Sequence, residues 1–582
     1  MTLVDPAGAT SPAASPDPID RLEALFGDAG AAGNPVGREA VLAADADGSM
    51  LAAGEDLLDA FGLNAHFVPE ALGGRFAGPE ELIGVMRAVY RRDPALGLGY
   101  GAGSFMAAVN VWTSGSAEQQ SWLAGHLLSG GRVACGYHEL AHGNDFARAE
   151  LTALPGPDGQ LLVNGRKEVV ANLARAGAVV LFARTDAAAG SRSHSQLLLE
   201  TARLASDTLT RLPRFATVGM RGVPLGGIEF TDCPVPADAV VGTPGHGLET
   251  AQRSFQLTRI ALPGMTLGLL DTALRTALRG ALGRRLYAGT AADLSLSRTV
   301  LAEAFADLLL ADAFVTVAAR AAHTAPGQST VYASAVKLLV PALVMGAVSR
   351  LSELLGSQFY LRAAEQPLFQ KLQRDVLPSA FGHASRVSCQ AALLPQLPLT
   401  VRRTWSAEDG PALPPTTFRP GEPLPPLDFG ALKVTAGGRD PLSRSLLQGA
   451  ERPTGRGEDA ELAARASQYA TEIRALSAEA ARLTPDQLGP AAPPHAFDLT
   501  TRWAGVLAAA ACLGLWWERP GDGQGPGAEP AWVLAALHRL GVHTGRHHDP
   551  LPEPLSEFLY AELLRRHDAG LTFDHARRPT GA

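Results

Sequence analysis

Residues 135–186 constrain the fold of this chain more than any other stretch. They open CGYHELAHGND, turn at PGPDG (155–159), run through QLLVNGRKEVVANLARA and close on AVVLFARTD. LTAL and QLLV flank the Pro/Gly cluster, a pattern that predicts a β-hairpin. The apolar run 178–183 is short and β-branched, which predicts a buried strand. Strand signals continue through residues 195–200 and 212–242. Before Gly131 and after His246, nearly all apolar residues recur at helical spacing. The chain therefore has to seat a small β-module between two helical blocks.

The first block carries helical patterns at residues 19–26, 38–61 and 79–91, with a loop at 68–74. Ser116 followed by Gln119 predicts a capped helix start. GLGYGAGS (97–104) lacks GxGxxG order and follows a helix rather than a strand. It reads as close helix packing through small residues, not as a nucleotide loop. Beyond the β-module, Phe255, Leu262, Leu269 and Leu278 keep helical spacing, and Pro263 must kink that helix or start one. Further helices are expected at 298–322, 331–355 and 369–376, and four helices with short connections predict a four-helix bundle. The Pro-rich stretch 411–430 reads as an extended linker. Leu462, Tyr469, Ile473, Leu476 and Leu483 then form an amphipathic stripe, and similar patterns at 496–518 and 555–566 predict a second, separate helical domain. The expected fold class is mainly α with a central antiparallel β-domain. Its boundaries are a tail at 1–18, a helical domain at 19–134, the β-domain at 135–245, a bundle at 246–400, a linker at 401–458 and a helical domain at 459–582.

A length of 582 residues suggests three or four domains. The net charge of −8 offers no footprint for nucleic acid or an anionic membrane. Cys135, Cys233, Cys389 and Cys512 lie far apart without CxxC pairing, which fits a reducing compartment. The Ala/Pro-rich N-terminus has neither a basic nor an apolar signal region, so a cytoplasmic location is expected. The longest apolar runs, at 505–517 and around 338–348, fall short of the roughly 20 residues a membrane span needs. Gly521–Gly527 is Gly-rich with no following Lys-Ser/Thr, hence a connection rather than a P-loop. The histidines of HTGRHHD (543–549) lack a second ligand pair, and no metal is expected.

The ordered set Glu139, Gly143-Asn144-Asp145, Asn164-Gly165-Arg166-Lys167 and Ala183-Arg184-Thr185-Asp186 resembles the middle domain of the acyl-CoA dehydrogenases. The resemblance extends backwards to RRDPAL (91–96) and the Gly-x-x-x-Gln run before the β-module. It extends forwards through Gly219, Arg221, Gly222, Val235, Pro236 and Gly242 to Arg374-Asp375. It implies a helical domain, a β-barrel-like domain and a four-helix bundle, with an extra helical domain appended. It also implies FAD, held between the β-domain and the bundle, and oxidation of a Cα–Cβ bond beside a thioester. The implied partners are acyl-CoA or an acyl carrier protein as substrate and an electron acceptor flavoprotein. The implied assembly is a homodimer or homotetramer, or a hetero-oligomer with a paralogue.

On this resemblance His138, Glu139, Asn144, Val169 and Ala171 occupy the flavin wall. Arg284 and Tyr287 hold the place from which one subunit reaches its neighbour's cofactor, and Gly356 marks the loop near the adenosine. Arg374-Asp375 implies a structural salt bridge. The chain departs from the family where chemistry is concentrated. The base position after Phe381 is Gly382, and the alternative position before Arg259 is Thr258, so neither carries a carboxylate. The usual Trp and Thr after the hairpin Lys are Val169 and Ala171, the Thr before Glu139 is His138, and the Ser of Gly-Ser-Asp is Asn144. His383, next to the missing acid, is the candidate base by its intrinsic pKa. Three readings stay open: an acyl-thioester α,β-dehydrogenase, a flavin monooxygenase on the same fold, and a non-catalytic subunit partnering an intact paralogue.

Overall fold

Seven strands form the β-module: β1 (Val133–Gly136), β2 (Thr152–Pro155), β3 (Leu161–Ala171), β4 (Ala178–Arg184), β5 (His194–Glu200), β6 (Leu209–Leu212) and β7 (Leu225–Val235). The computed structural model describes residues 17–188, 190–407, 410–451, 458–519 and 529–581, so the tail before residue 17 and the Gly521–Gly527 loop lie outside the described residues. The expected hairpin joins β2 to β3, with Thr152 opposite Asn164 and Pro155 opposite Leu161. The sheet order is β1-β4-β2-β3-β7-β6, with β5 also paired to β4. Most pairings are antiparallel, but β1 and β2 each run parallel to β4, so the sheet is mixed.

The continuous apolar run of β4 has a direct cause, because successive strand residues face opposite sides of the sheet. Val179, Leu181 and Ala183 pack inside the β-module with Val163, Val170 and Leu197. Ala178, Val180 and Phe182 face the helices and join their core. A strand covered on both faces has no polar side to show.

Ahead of the sheet stand α1 (Pro18–Phe26), α2 (Arg38–Asp47), α3 (Ala52–Phe61), α4 (Pro79–Arg92), α5 (Pro94–Gly97), α6 (Gly103–Ser114) and α7 (Ala117–Leu128). The expected helix at 38–61 is divided by Gly48, whose φ of 63° ends α2 in a left-handed cap. Ser116 and Gln119 form the predicted capping box on α7. A Cβ on Gly97 would strike Tyr90 at 2.5 Å, and one on Gly101 would strike Phe67 at 2.4 Å. The small residues of 97–104 thus serve packing.

The bundle comprises α8 (Gly247–Gly283), α9 (Ser295–Thr324), α10 (Ser329–Leu355) and α11 (Gln366–Asp375), with short helices α12 (Pro378–Phe381), α13 (Arg386–Leu393) and α14 (Leu397–Thr400) after it. Pro263 lies inside the 37-residue α8 and does not divide it. The chain ends in α15 (Pro441–Ala450), α16 (Glu458–Ala480), α17 (Pro494–Trp517), α18 (Ala531–His543) and α19 (Glu553–Asp568).

The last helices share one core with the bundle instead of packing separately. Leu507 and Leu513 of α17, Leu540 of α18 and Leu563 of α19 belong to the same buried cluster as Phe305, Leu309 and Phe314 of α9. The reason is legible in α17, which from Trp503 onward is apolar on all sides and so has to be covered on all sides. Pro494–Trp517 and Pro326–Tyr360 do reach the length and apolarity of a membrane span, contrary to the expectation from sequence, and 83% of each apolar window is buried inside the protein. The Pro-rich stretch is likewise fastened. Just beyond its end, Arg253 donates to Leu432 O at 2.9 Å and Gln256 to Lys433 O at 2.7 Å. Arg320 donates to Thr416 O and Glu422 O, both at 2.8 Å.

Candidate active site

The β-module presents its loop through a buried brace. Lys167 on β3 is fully buried, and its Nζ lies 2.7 Å from Glu139 Oε1. Glu139 also accepts the backbone N–H groups of Glu150 at 2.8 Å and Leu151 at 3.1 Å. Burial alone would raise the Glu139 pKa, but the Lys167 charge and these hydrogen bonds hold it below the usual carboxylate value. All of these bonds point inward, so Glu139 shapes the loop and is not a free acid. Leu140 N donates to Glu168 Oε2 at 2.9 Å, closing the loop against β3. The loop carries His138, whose Nε2 lies 3.2 Å from Asn144 Oδ1, and burial holds the His138 pKa below its ordinary value.

Across from this loop, α12 ends at Gly382 and the chain turns through His383, which has a φ of 68°. A non-glycine residue in this region is uncommon and concentrates at functional positions. The His383 ring stands edge-on to Phe255 of α8 with centroids 3.8 Å apart. It is 6% exposed, and its Nε2 has no hydrogen-bond partner. Burial, and then the charges of His138, Arg259 and Lys337, hold its pKa well below 6.5. His383 is therefore neutral at physiological pH and a weak proton acceptor. The alternative base position is closed, because the buried Thr258 hydroxyl donates to Phe255 O at 3.1 Å. Sequence reasoning missed Lys337 of α10. Its Nζ donates to Ser379 O at 2.7 Å, and burial lowers its pKa to about 8. The signal was a lone cation in an apolar stretch of that helix, SAVKLLVPALV.

The remaining predicted residues lie elsewhere. Arg284 caps the far end of α8, donating to Leu355 O at 3.2 Å beside Gly356, whose φ is 58°. Tyr287 tips the two-residue turn between short strands at Arg285–Leu286 and Gly289–Thr290 and is 96% exposed. From Phe255 to Arg284 the helix rises about 43 Å at 1.5 Å per residue. One protomer therefore does not bring Arg284, Tyr287 and Gly356 to the cluster around His138 and His383. Arg374 and Asp375 each enter a salt bridge, as the resemblance implies, with different partners. Arg374 bonds Asp45 at 2.7 Å, while Asp375 bonds Lys371 at 2.5 Å and accepts Met220 N at 2.5 Å. A cavity of about 1670 Å³ between α4, α9 and residues 418–429 and 572–579 shares no residue with this cluster.

The residues at the junction fit a flavin. The β3–β7 register shifts between Lys167 and Val170, so Glu168 and Val169 together stand opposite Gly227 of β7. A bulge of this kind is common beside active sites. The small side chains of Val169 and Ala171 are only partly buried, and Leu140 and Phe381 are exposed apolar neighbours in sequence of Glu139 and Gly382. A Cβ on Gly143, with φ 55°, would meet nothing within 4 Å, so a ligand can approach the loop backbone there. His138, Asn144 and the 168–169 backbone are the groups that would hold the ring.

A family model described as the acyl-CoA dehydrogenase C-terminal domain matches residues 245–383. The chain is 30% identical over 246 residues to the human mitochondrial short-chain specific acyl-CoA dehydrogenase, a match covering 42% of this chain and 58% of that protein. The chain thus spans a little over half the length of this curated relative. Its fold matches an acyl-CoA dehydrogenase complexed with FAD from Bacillus anthracis with a TM-score of 0.67, 15% identity and 94% of each chain covered. It also matches a prolyl acyl carrier protein oxidase with a TM-score of 0.57, 18% identity, and 65% of this chain and 96% of the other covered. The B. anthracis match runs through the terminal helices as well, which places them within a known version of the fold. From the Glu139 loop to the helices around Phe255 and His383 the chain has the fold of the acyl-CoA dehydrogenases, and its residues 245–383 match the C-terminal domain of that family.

Proposed function

We propose that this chain is an FAD-dependent oxidoreductase that dehydrogenates an acyl thioester, carried on CoA or on an acyl carrier protein. The observation that carries the reading is the junction itself, where the braced Glu139–Lys167 loop and its bulged strand face Phe255 and His383 of the bundle. FAD, when bound, supplies the hydride acceptor. The chain's own part is to hold the ring edge with His138 and Asn144, to exclude water with Phe255 and Phe146, and to receive the α-proton. His383 Nε2 is the acceptor available, and its depressed pKa makes it slow. Arg284 and Tyr287 serve the cofactor of a second copy, which makes the working unit an oligomer. An electron acceptor flavoprotein then reoxidises it. A cytoplasmic location belongs to the same reading.

The experiment is the absorption spectrum of the full chain, followed by anaerobic titration with butyryl-CoA. A flavin spectrum that bleaches supports the dehydrogenase. Colour that persists under thioester, together with oxygen uptake once air and an external reductant of the flavin are supplied, favours the monooxygenase reading, which the missing carboxylate at Gly382 supports. Colourless protein that gains flavin only beside an intact paralogue points to the non-catalytic subunit.

A further inference from the structure

The groups gathered beneath Gly382 share an electrostatic oddity. Lys337 is 2% exposed, and its ammonium has one hydrogen-bond partner, the Ser379 carbonyl. Arg259, one turn beyond Phe255 on α8, keeps a buried Nε without a partner. His383 keeps a buried Nε2 without a partner. The charges acting on Lys337 are those of Cys389 and Arg259, and those acting on His383 are of His138, Arg259 and Lys337. No carboxylate is among them. Elsewhere in the described core Lys167 has Glu139, Lys371 has Asp93 and Asp375, and Arg539 has Asp307. A buried cation without an anion is costly, and donors left without acceptors add to that cost.

We propose that Lys337 Nζ and Arg259 Nε form a carboxylate-binding subsite beside His383, so that the preferred acyl chain carries a carboxyl group of its own. The subsite rests on the acyl-thioester reading for its substrate, but not for its chemistry, since any small carboxylate answers the same donors. A carboxylate there accepts two charge-assisted hydrogen bonds and gives the buried Lys337 and the partly buried Arg259 the counter-ion that the loop does not supply. A neutral straight chain gives them nothing. The subsite therefore selects by charge where an apolar pocket selects by length.

The test is calorimetric titration of the purified full chain with succinyl-CoA and with butyryl-CoA, and separately with sodium glutarate against sodium chloride at equal ionic strength. Binding of succinyl-CoA about tenfold tighter than butyryl-CoA is expected, the yield of one charge-assisted hydrogen bond. That ratio should fall toward one in Lys337→Met and in Arg259→Gln, and survive in Lys337→Arg. Glutarate should give a saturable heat that chloride does not, lost in Lys337→Met. Equal affinity for both thioesters, or a ratio unchanged in the Met and Gln variants, overturns the subsite. If neither thioester binds, the acyl-thioester reading fails, and the glutarate arm decides alone: a Lys337-dependent heat upholds the subsite, and its absence overturns it. Should both variants fail to fold, the wild-type contrasts of succinyl-CoA with butyryl-CoA and of glutarate with chloride still decide.

Discussion

Lys371 Nζ lies 2.6 Å from Asp93 Oδ1, and the same ammonium sits 2.5 Å from Asp375 Oδ2. This one side chain joins segments that the sequence shows only as separate motifs. Asp93 closes RRDP in the first helical block, and Asp375 follows Arg374 at the end of α11. Asp375 also accepts Met220 N at 2.5 Å from the exit of the β-module. Burial works against the Lys371 charge, yet Asp93 and Asp375 hold its pKa well above the ordinary lysine value.

Removing that cation leaves two buried carboxylates facing one another. Lys371→Met should therefore destabilise the chain by about 3–5 kcal/mol, the cost of breaking a buried pair from one side. The measurement is the urea midpoint followed by circular dichroism. A midpoint within error of wild type would show that solvent or relaxation meets the lost charge.

A second lock fastens the terminal helices. Asp307 of α9 is fully buried and accepts Arg539 Nε and His543 Nε2, each at 3.0 Å. Arg350 of α10 reaches the same carboxylate. Although burial opposes its charge, His543, Arg539 and Arg350 keep the Asp307 pKa far below the carboxylate range. Asp307→Ala should loosen α18 from α9, because two arginines then lose a buried acid. Limited proteolysis should cleave within α18 and the residues after it before the bundle is touched. An unchanged digestion pattern would assign the cohesion to apolar packing alone.

The third expectation concerns pH. The folded His383 pKa lies well below 6.5, chiefly from burial and then from His138, Arg259 and Lys337. Below pH 6.5 the unfolded chain therefore binds a proton that the folded chain refuses. Stability falls as pH drops from about 6.5 toward the folded value, by up to about 1.4 kcal/mol per pH unit for one such group. His383→Gln should flatten the acid side of a melting-temperature profile measured between pH 5 and 7. A slope identical to wild type would mean that His383 is protonated in the fold. His138, His194, His323, His538, His567 and His575 are lowered for the same leading reason, so a residual slope remains.

What could be read from sequence follows from periodicity. The β2–β3 hairpin, the capped start of α7 and the long bundle helices each announce themselves within about a dozen residues. The tertiary pairings do not. Two parallel neighbours of β4 cannot be seen in AVVLFAR, since burial on both faces is compatible with either direction. Residues 411–430 look extended because proline lacks an N–H, but carbonyls remain, and Arg320 uses two of them. At the site, Gly382 and Thr258 were visible as missing acids. That Lys337 stands beneath them depends on how α10 rotates against α8, which its nearly uniform apolar pattern does not specify.

Restoring the acid is the sharpest test of this loop. Gly382 has a φ of −60°, so a side chain meets no backbone strain there. However, a Cβ at that position would come within 2.7 Å of Pro378 O, a backbone atom in α12, and α12 must give way. Two effects then compete in Gly382→Glu. A general base contributes about 10²–10⁴ in rate, while a base displaced by about 1 Å forfeits up to about 10². The gain wins in most of that range. Butyryl-CoA should bleach the flavin of Gly382→Glu at least about tenfold faster than that of wild type, with a melting temperature a few degrees lower. The new carboxylate also answers Lys337 and Arg259, so the heat of glutarate binding should shrink in the same variant. A folded, flavin-loaded Gly382→Glu that bleaches no faster and binds glutarate as before would show that residue 382 faces neither the thioester nor the two cations.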